Sequence, residues 1–488
     1  MTATVRDRPT ELRHFIDGAW TEGTGEPLVD VNPSRPSDIL AEGRGASAAD
    51  VDRAYAAARA AFDGWRRTPA RSRAAILLRA ADVIEAHREE WGRELAREEG
   101  KTLAEAVAET GHAANILRFH AQEVERASGG VFESPTPGER ILVVRRPIGV
   151  IGALTPFNFP ISIPAWKLAP ALVWGNTVVW KPATFVPVLA MRFAQALEEA
   201  GLPRGVLNLV GGAAEVGEAI VSHPGTDAVT FTGSTRVGRL IAAQLAARGI
   251  PFQGEMGGKN AALVLADADL DVAVEQVAIG AFRAAGQKCT ATSRVIVHED
   301  VADEFLRRLA DRTRRIRVGD ALEAGVEVGP VVDAGARDRV AAALLRARSS
   351  ATPVVAPDPY SEGPLAEGYF VPPSVFELPG DAPGELWSEE LFGPVIGVRR
   401  VSSTAEGIAL VNDSEYGLST AVFTTDLAHA LTAIEDIRVG VVHVNSASAG
   451  ADLHVPFGGS GASALGPKEQ GAAAREFFTE TATVYLRG

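Results

Sequence analysis

Residues 228–238 read Ala-Val-Thr-Phe-Thr-Gly-Ser-Thr-Arg-Val-Gly. The first four are apolar, β-branched or aromatic, the composition of a buried strand. Thr232-Gly233-Ser234 is turn chemistry, and the residues after it open a helix predicted to reach about 246. A strand feeding a helix through so short a turn is half of a βαβ unit, and its neighbours repeat the pattern. Strands are expected at 177–180 and 206–210, and helices at about 188–200 and 214–222. That alternation predicts a parallel sheet with helices packed on it. A second alternating series runs from about 260 to 445, with strands at 261–265 and 294–297 and a helix at about 272–284. Two α/β domains of comparable size account for both.

Outside these series the texture differs. Residues 13–20 form a hairpin around Asp17-Gly18, which supplies the positive φ angles of a type I′ turn. From 47 to about 128 the chain is Ala-, Leu-, Glu- and Arg-rich with helical spacing: Val51, Tyr55, Ala58 and Phe62 share one face, as do Ile76, Leu77, Ala80 and Val83. Ser47 is placed to cap the first of these helices. Strands follow at 141–144 and 150–154, separated by Arg145-Arg146-Pro147, and 481–486 is a last strand.

Composition removes several function classes. The chain has 488 residues, 46% apolar and 23% charged, enough apolar content to exclude dominant disorder. A net charge of -14 argues against general nucleic-acid binding, and the basic run from Arg307 to Arg315 reads as a solvated helix face. No apolar stretch approaches ~20 residues, and the first thirteen residues are polar, so a cytoplasmic protein with no membrane partner is expected. The lone cysteine, Cys289, excludes an intrachain disulfide and a Cys-rich metal site, and the nine histidines lack ligand spacing, so no metal is expected.

Several glycine motifs mislead. Residues 43–48 and 459–464 match G-x-G-x-x-A by letter, but neither sits at a clear strand-to-helix turn with an acidic residue ~20 positions on. Gly100-Lys101-Thr102 has Leu95 where a phosphate loop needs its first glycine. The loop at 231–238 is better placed, since a helix N-terminus with a serine suits a pyrophosphate, although spacing alone leaves a plain helix cap equally open. Cys289 lies in Gly286-Gln287-Lys288-Cys289, a polar loop where N–H groups and positive charge can stabilise a thiolate; a buried apolar cysteine is the bland alternative. Glu255 precedes a Gly-Gly turn from which a carboxylate can reach a cleft, and Asn158 is a polar amide in the apolar setting Pro156-Phe157-Asn158-Phe159-Pro160.

Pro156 to Pro160, Lys181-Pro182-Ala183, the 231–238 loop, Glu255-Met256-Gly257-Gly258, Gly286 to Cys289, Glu390 to Val395, Asn412-Asp413 through Tyr416-Gly417-Leu418, and Pro456 to Gly459 occur in this order. In that order and over nearly the whole chain, they resemble the aldehyde dehydrogenase superfamily. The resemblance implies two doubly wound α/β domains plus a small β bridging sheet that serves oligomerisation. Residues 1–127 and 147–253 would form the dinucleotide-binding domain, 254–460 the catalytic domain, and 128–146 with 472–488 the bridging sheet. A homodimer or homotetramer would follow. Cys289 would be the nucleophile, Asn158 and the Cys289 N–H the oxyanion donors, and Glu255 the general base for hydrolysis. Thr155, Pro156, Phe157, Lys181, Ala183, Thr184, Gly233, Ser234, Glu390 and Phe392 would contact NADP or NAD, with Trp180 lining the same cleft. Trp166, Arg283, Asn445 and Phe457 would face an aldehyde substrate.

Thr184 stands where many NAD-preferring members carry glutamate, which favours dual cofactor use leaning to NADP, with Glu215 a second group near the ribose. Phe157 and Gly466-Pro467-Lys468-Glu469-Gln470-Gly471, with the loops at 163–167 and 289–294, resemble the bacterial 2-oxoglutarate semialdehyde (2,5-dioxopentanoate) dehydrogenases, so a carboxylated semialdehyde is the expected substrate. A CoA-acylating relative often lacks the general base, and a non-catalytic binding or structural protein on this fold would be expected to lose Cys289, Asn158 or Glu255; all three are present.

Overall fold

The computed structural model describes residues 9–126, 128–380 and 384–488; most of the polar lead, residues 1–8, lies outside them. The first alternating series forms five parallel strands: β1 (Val150–Leu154), β2 (Thr177–Lys181), β3 (Leu207–Leu209), β4 (Ala228–Thr232) and β5 (Phe252–Glu255). Their order across the sheet is β5-β4-β1-β2-β3. The chain therefore winds outward from β1 in one direction and returns beside it at β4, a topological switch between the carboxyl ends of β1 and β4. In open α/β sheets such a switch opens the crevice where ligands bind. The hairpin predicted around Asp17-Gly18 extends the β3 edge, with φ of 49° and 71° at those two residues.

The second series is also parallel: β6 (Asn260–Val264), β7 (Thr292–His298), β8 (Ser374–Glu377), β9 (Val395–Val401), β10 (Ser419–Phe423) and β11 (Val441–Val444), in the order β8-β9-β7-β6-β10-β11. The helical region resolves into α1 (Ala48–Arg67), α2 (Ala70–Ala86), α3 (Arg88–Glu99) and α4 (Leu103–Glu123). Ser47 caps α1, and the Asp50 carboxylate returns the bond by accepting from the Ser47 N–H at 2.8 Å. Val51, Tyr55 and Ala58 are buried as their spacing predicts.

Two strands depart from expectation. Glu139–Pro147 runs unbroken through Arg145 and Arg146, because it pairs along its whole length with Thr479–Arg487. Pro147, at its very end, has no ladder bond to lose. Arg35–Arg44, which pairs with Pro27–Asn32, was not anticipated, since its charged and small residues carry little strand signal.

Candidate active site

The carboxyl ends of β1, β4 and β5 meet the amino ends of β6 and β7. Asn158 lies on the loop after β1, Gly233 and Ser234 follow β4, Glu255 closes β5, and Cys289 stands three residues before β7. The nucleophile loop is held by its backbone. The helix Leu270–Phe282 gives way to a turn in which Ala284, Ala285 and Gly286 all take left-handed φ values of 52°, 52° and 71°. Such conformations cost an alanine about 1 kcal/mol or more and persist only where the surroundings impose them. A Cβ at Gly286 would approach the Gly393 carbonyl to 2.3 Å, so only glycine fits. Beyond the turn, Asn260 Nδ2 donates to the carbonyls of Cys289 (2.7 Å) and Ala291 (2.9 Å), while its Oδ1 accepts from the Ser419 N–H at 3.0 Å.

Asn158 is buried beside this loop. Its Nδ2 donates to the Gln287 carbonyl at 2.8 Å, two residues from Cys289. One amide hydrogen is thus spent on fixing the side chain, and the second is left for a neighbouring acceptor. Glu255 is also buried. Its Oε2 accepts from the Gly459 N–H at 3.3 Å, and its Oε1 has no hydrogen-bond partner among the described residues. A Cβ on Gly458 would come within 2.4 Å of that oxygen. Burial, and then the nearby Glu469 carboxylate, hold the Glu255 carboxyl well above the usual carboxylate range, against the opposing charges of Lys167 and Lys468. Lys167, inside the wholly buried helix α5 (Ser162–Val173), binds Glu469 at 2.8 Å, Thr230 Oγ1 at 3.0 Å and Gln253 Oε1 at 3.1 Å. Lys468 donates to the Gly458 and Gly459 carbonyls beside Glu255.

The thiol itself corrects an expectation. Burial, followed by the carboxylates of Glu390, Glu255 and Glu469, pushes Cys289 far up rather than down. Lys288 does not offset them, because its ammonium turns toward Glu105, 3.5 Å away.

Across the crevice, Gly233 N–H donates to the Glu255 carbonyl at 3.1 Å, and Ser234 caps the helix Thr235–Ala246, accepting from the Val237 N–H at 3.4 Å. Lys181 ends β2, is pushed down to about 8 by burial against the opposing charge of Glu215, and donates to the Pro182 carbonyl at 3.1 Å. Thr184 Oγ1 donates to the Gly212 carbonyl at 3.0 Å, so its proton is already committed. Ala183 and Thr184 line a small cavity together with Arg13, His14 and Arg44. Glu390 is pushed up to about 7 by burial, with the Gly258 N–H (2.9 Å) and Lys259 opposing. A Cβ at Gly257 would lie 2.0 Å from its second oxygen, so the Gly257-Gly258 turn is the seat of this carboxylate. Phe392, at φ 56°, packs edge-on to Phe157 with ring centroids 5.9 Å apart, and Pro156 is half-buried beside it in sequence.

One aromatic assignment fails. Trp180 does not line the cleft: it is fully buried on a central strand and donates its Nε1–H to Thr155 Oγ1 at 2.9 Å, which also turns Thr155 to a packing role. Asn445 is exposed and sits at φ 54°, with its Oδ1 and one Nδ2 hydrogen bonded to Thr424 at 3.0 and 2.9 Å, so it shapes a turn and keeps one amide hydrogen to offer. Trp166 and Phe457 do face each other, 5.7 Å apart, with His112 edge-on to Trp166 at 6.4 Å. Arg283 is exposed just after the helix Leu270–Phe282; burial lowers the proton affinity of Lys288, and the Arg283 charge adds a smaller push in the same direction. Lys167, Lys468 and Glu469 entered the sequence reading only as parts of resemblance motifs, and neither they nor Asn260 were given a role at the site. Among the described residues no group of three or more His, Cys, Asp and Glu side chains is arranged to hold a metal, and no helix is long and apolar enough to cross a membrane.

Comparison with known proteins identifies the family. The family model described as the aldehyde dehydrogenase family matches residues 20–484. Alpha-ketoglutaric semialdehyde dehydrogenase of Bacillus subtilis is 41% identical over 97% of this chain and 98% of its own length. A crystal structure of betaine aldehyde dehydrogenase from Staphylococcus aureus in complex with NAD+ superposes with a TM-score of 0.94 at 31% identity, covering 98% of this chain and 96% of that one. An NADP-dependent enzyme of E. coli gives 0.93 at 32% identity, with 98% of each chain covered. The chain belongs to the aldehyde dehydrogenase family and is an NAD(P)-dependent oxidoreductase acting on the aldehyde group.

Proposed function

We propose that this enzyme oxidises a carboxylated semialdehyde, of the 2-oxoglutarate semialdehyde kind, to the acid. Cys289 Sγ, once deprotonated, attacks the aldehyde carbon to form a thiohemiacetal. The free Asn158 amide hydrogen and the Cys289 N–H stabilise the oxyanion, a contribution on the order of 3 kcal/mol per donor. Bound NAD(P)+ supplies the hydride acceptor. The residues present suit it: the Gly233-Ser234 turn at a helix N-terminus for the pyrophosphate, Lys181 and Thr184 beside one ribose, Glu390 beside the other, and Pro156, Ala183, Phe157 and Phe392 along the cleft. Glu255 then takes a proton from the water that hydrolyses the Cys289 thioester. The observation that carries this reading is convergence: an amide anchored two residues from the lone thiol, and a buried, under-bonded carboxylate close enough to raise that thiol.

The substrate class rests on the name of the Bacillus subtilis relative and on Arg283, an exposed cation just after the helix Leu270–Phe282 and six residues before Cys289. Trp166 and Phe457 would enclose the aldehyde's stem. Residues 1–127 and 147–253 would bind the dinucleotide and 254–460 would carry the chemistry. The sheet at 128–146 and 472–488 would make a homodimer or homotetramer, since Thr479–Arg487 is an edge strand on which Tyr485 and Leu486 are exposed. A cytoplasmic location fits a chain with a single thiol. A panel of aldehydes assayed with both cofactors tests the reading: kcat/KM for 2-oxoglutarate or succinate semialdehyde is expected to exceed that for hexanal and benzaldehyde, and the reverse order would refute it.

A further inference from the structure

The Gly100-Lys101-Thr102 turn, which fails as a phosphate loop, carries a buried ammonium with an unusual set of partners. Lys101 is 3% exposed. Its Nζ donates to Glu109 Oε2 at 2.5 Å and to the Asn158 carbonyl at 2.6 Å, lies 3.8 Å from Glu99, and sits 4.4 Å from the centre of the Phe159 ring. The other oxygen of Glu109 accepts from the N–H groups of Ile161 (3.3 Å) and Ser162 (3.2 Å), the start of α5. The whole loop from Asn158 to Ser162 is thereby pinned to the corner between α3 and α4. One turn along α4, Glu105 accepts from Thr102 Oγ1 at 2.9 Å and reaches Lys288, the residue before the nucleophile, at 3.5 Å.

A buried ion pair is weak support for stability, because desolvation of both charges consumes most of the attraction. The bond to Asn158 satisfies a buried carbonyl, which a neutral donor would do as well, so stability alone gives little reason for an ammonium at this place. We propose that Lys101 is a positioning residue: with Glu109 it fixes the Asn158 backbone, while Glu105 and Lys288 fix the nucleophile loop, so that one corner of the fold sets the separation of the two oxyanion donors. The inference rests on the reading of Asn158 and the Cys289 N–H as those donors. A misplacement of about 1 Å at a reacting centre costs on the order of a hundredfold in rate.

The test uses the full-length enzyme as wild type, Lys101→Met, Asn158→Ala and the double variant. Three quantities are read: the burst rate of reduced-cofactor formation, the cofactor Kd by fluorescence, and the rate of Cys289 alkylation by iodoacetamide, a displacement that forms no oxyanion. Asn158→Ala is expected to lower the burst by about a hundredfold or more, and Lys101→Met by about ten- to a hundredfold. In Lys101→Met, alkylation and cofactor Kd stay within about twofold of wild type, and the double variant falls little below Asn158→Ala because Lys101 acts through that residue. Should Lys101→Met fail to fold, Lys101→Met/Glu109→Gln removes both charges, keeps an acceptor for Ile161 and Ser162, and carries the same expectations. A Lys101→Met burst within about threefold of wild type while Asn158→Ala falls would overturn the positioning role alone, as would an equal loss of alkylation, which marks general disruption of the loop. A full burst in Asn158→Ala would overturn the oxyanion assignment first and the proposal with it.

Discussion

Glu255→Gln separates the two halves of the reaction. The substitution keeps side-chain volume and leaves an oxygen to accept the Gly459 N–H at 3.3 Å. The other carboxylate oxygen has no partner to lose among the described residues, so the folded structure is little disturbed. What disappears is a base whose strength comes from its surroundings: burial and Glu469 raise it, and a single long hydrogen bond does little to satisfy it. A positioned general base contributes ~10² to ~10⁴ in rate, about 3 to 5 kcal/mol of barrier. Acylation needs the thiolate and the oxyanion donors, not this base. Stopped-flow absorbance is therefore expected to show a burst of reduced cofactor near one equivalent per site, followed by turnover slowed at least about a hundredfold. The pH profile carries the sign: Glu255 works deprotonated, so wild-type kcat rises with pH through its raised titration, and the variant loses that rise. Steady-state turnover within about threefold of wild type would show that another group activates the water.

Cys289→Ala is expected to abolish aldehyde oxidation while leaving cofactor Kd within about twofold of wild type; residual turnover above ~1% would end its assignment as nucleophile. Thr184→Glu is expected to shift kcat/KM toward NAD by at least about tenfold, since a carboxylate ~4 Å from a 2′-phosphate charge opposes it by up to roughly 4 kcal/mol at an effective dielectric of ~20. An unchanged NADP preference, or a wild type that already prefers NAD a hundredfold or so, would refute the role given to Thr184. Arg283→Leu is expected to raise KM for a carboxylated semialdehyde by about tenfold and to leave KM for an uncharged aldehyde of similar length unchanged; equal effects on both would show that Arg283 does not bind the carboxylate.

What was legible in the sequence was local. The alternation of apolar runs and amphipathic segments fixed both parallel sheets, and Asp17-Gly18 announced its turn because few residue pairs accept two positive φ angles. The lone thiol and its ordered companion motifs gave the site. What stayed hidden depends on partners far away in the chain. Lys167 and Glu469 lie 302 residues apart, and nothing near either says that they meet beside Glu255. Trp180 was misplaced because a strand's sequence does not say which of its aromatic residues is covered by helices, and here Phe193 and the Thr155 hydroxyl enclose it. Lys101 was read as part of a failed motif, although its partners Glu109 and Asn158 lie 8 and 57 residues on. Asn445 carried the polar character of a substrate loop but serves the turn at Thr424.

The elevated thiol makes sense when nucleophile and base are treated as one titrating unit. A thiolate and two or three carboxylates cannot all be ionised in one buried site: at ~6 Å and an effective dielectric of ~20, each like-charge pair costs roughly 3 kcal/mol. Protons therefore redistribute as the reaction proceeds, and the titrations belong to the group rather than to single residues. A Cys289 thiolate would add its charge to burial and to Glu469, which already disfavour ionisation of Glu255. Once sulfur is acylated it carries no charge, that repulsion vanishes, and ionisation of Glu255 becomes easier at the step that needs a base. Lys167 and Lys468 oppose Glu469 and so favour the carboxylate, and Gly458 leaves its unpartnered oxygen uncovered by a side chain. On the proposed roles, the carboxylates that raise the thiol are relieved of its negative charge once sulfur is acylated, which favours Glu255 as base after, rather than during, attack.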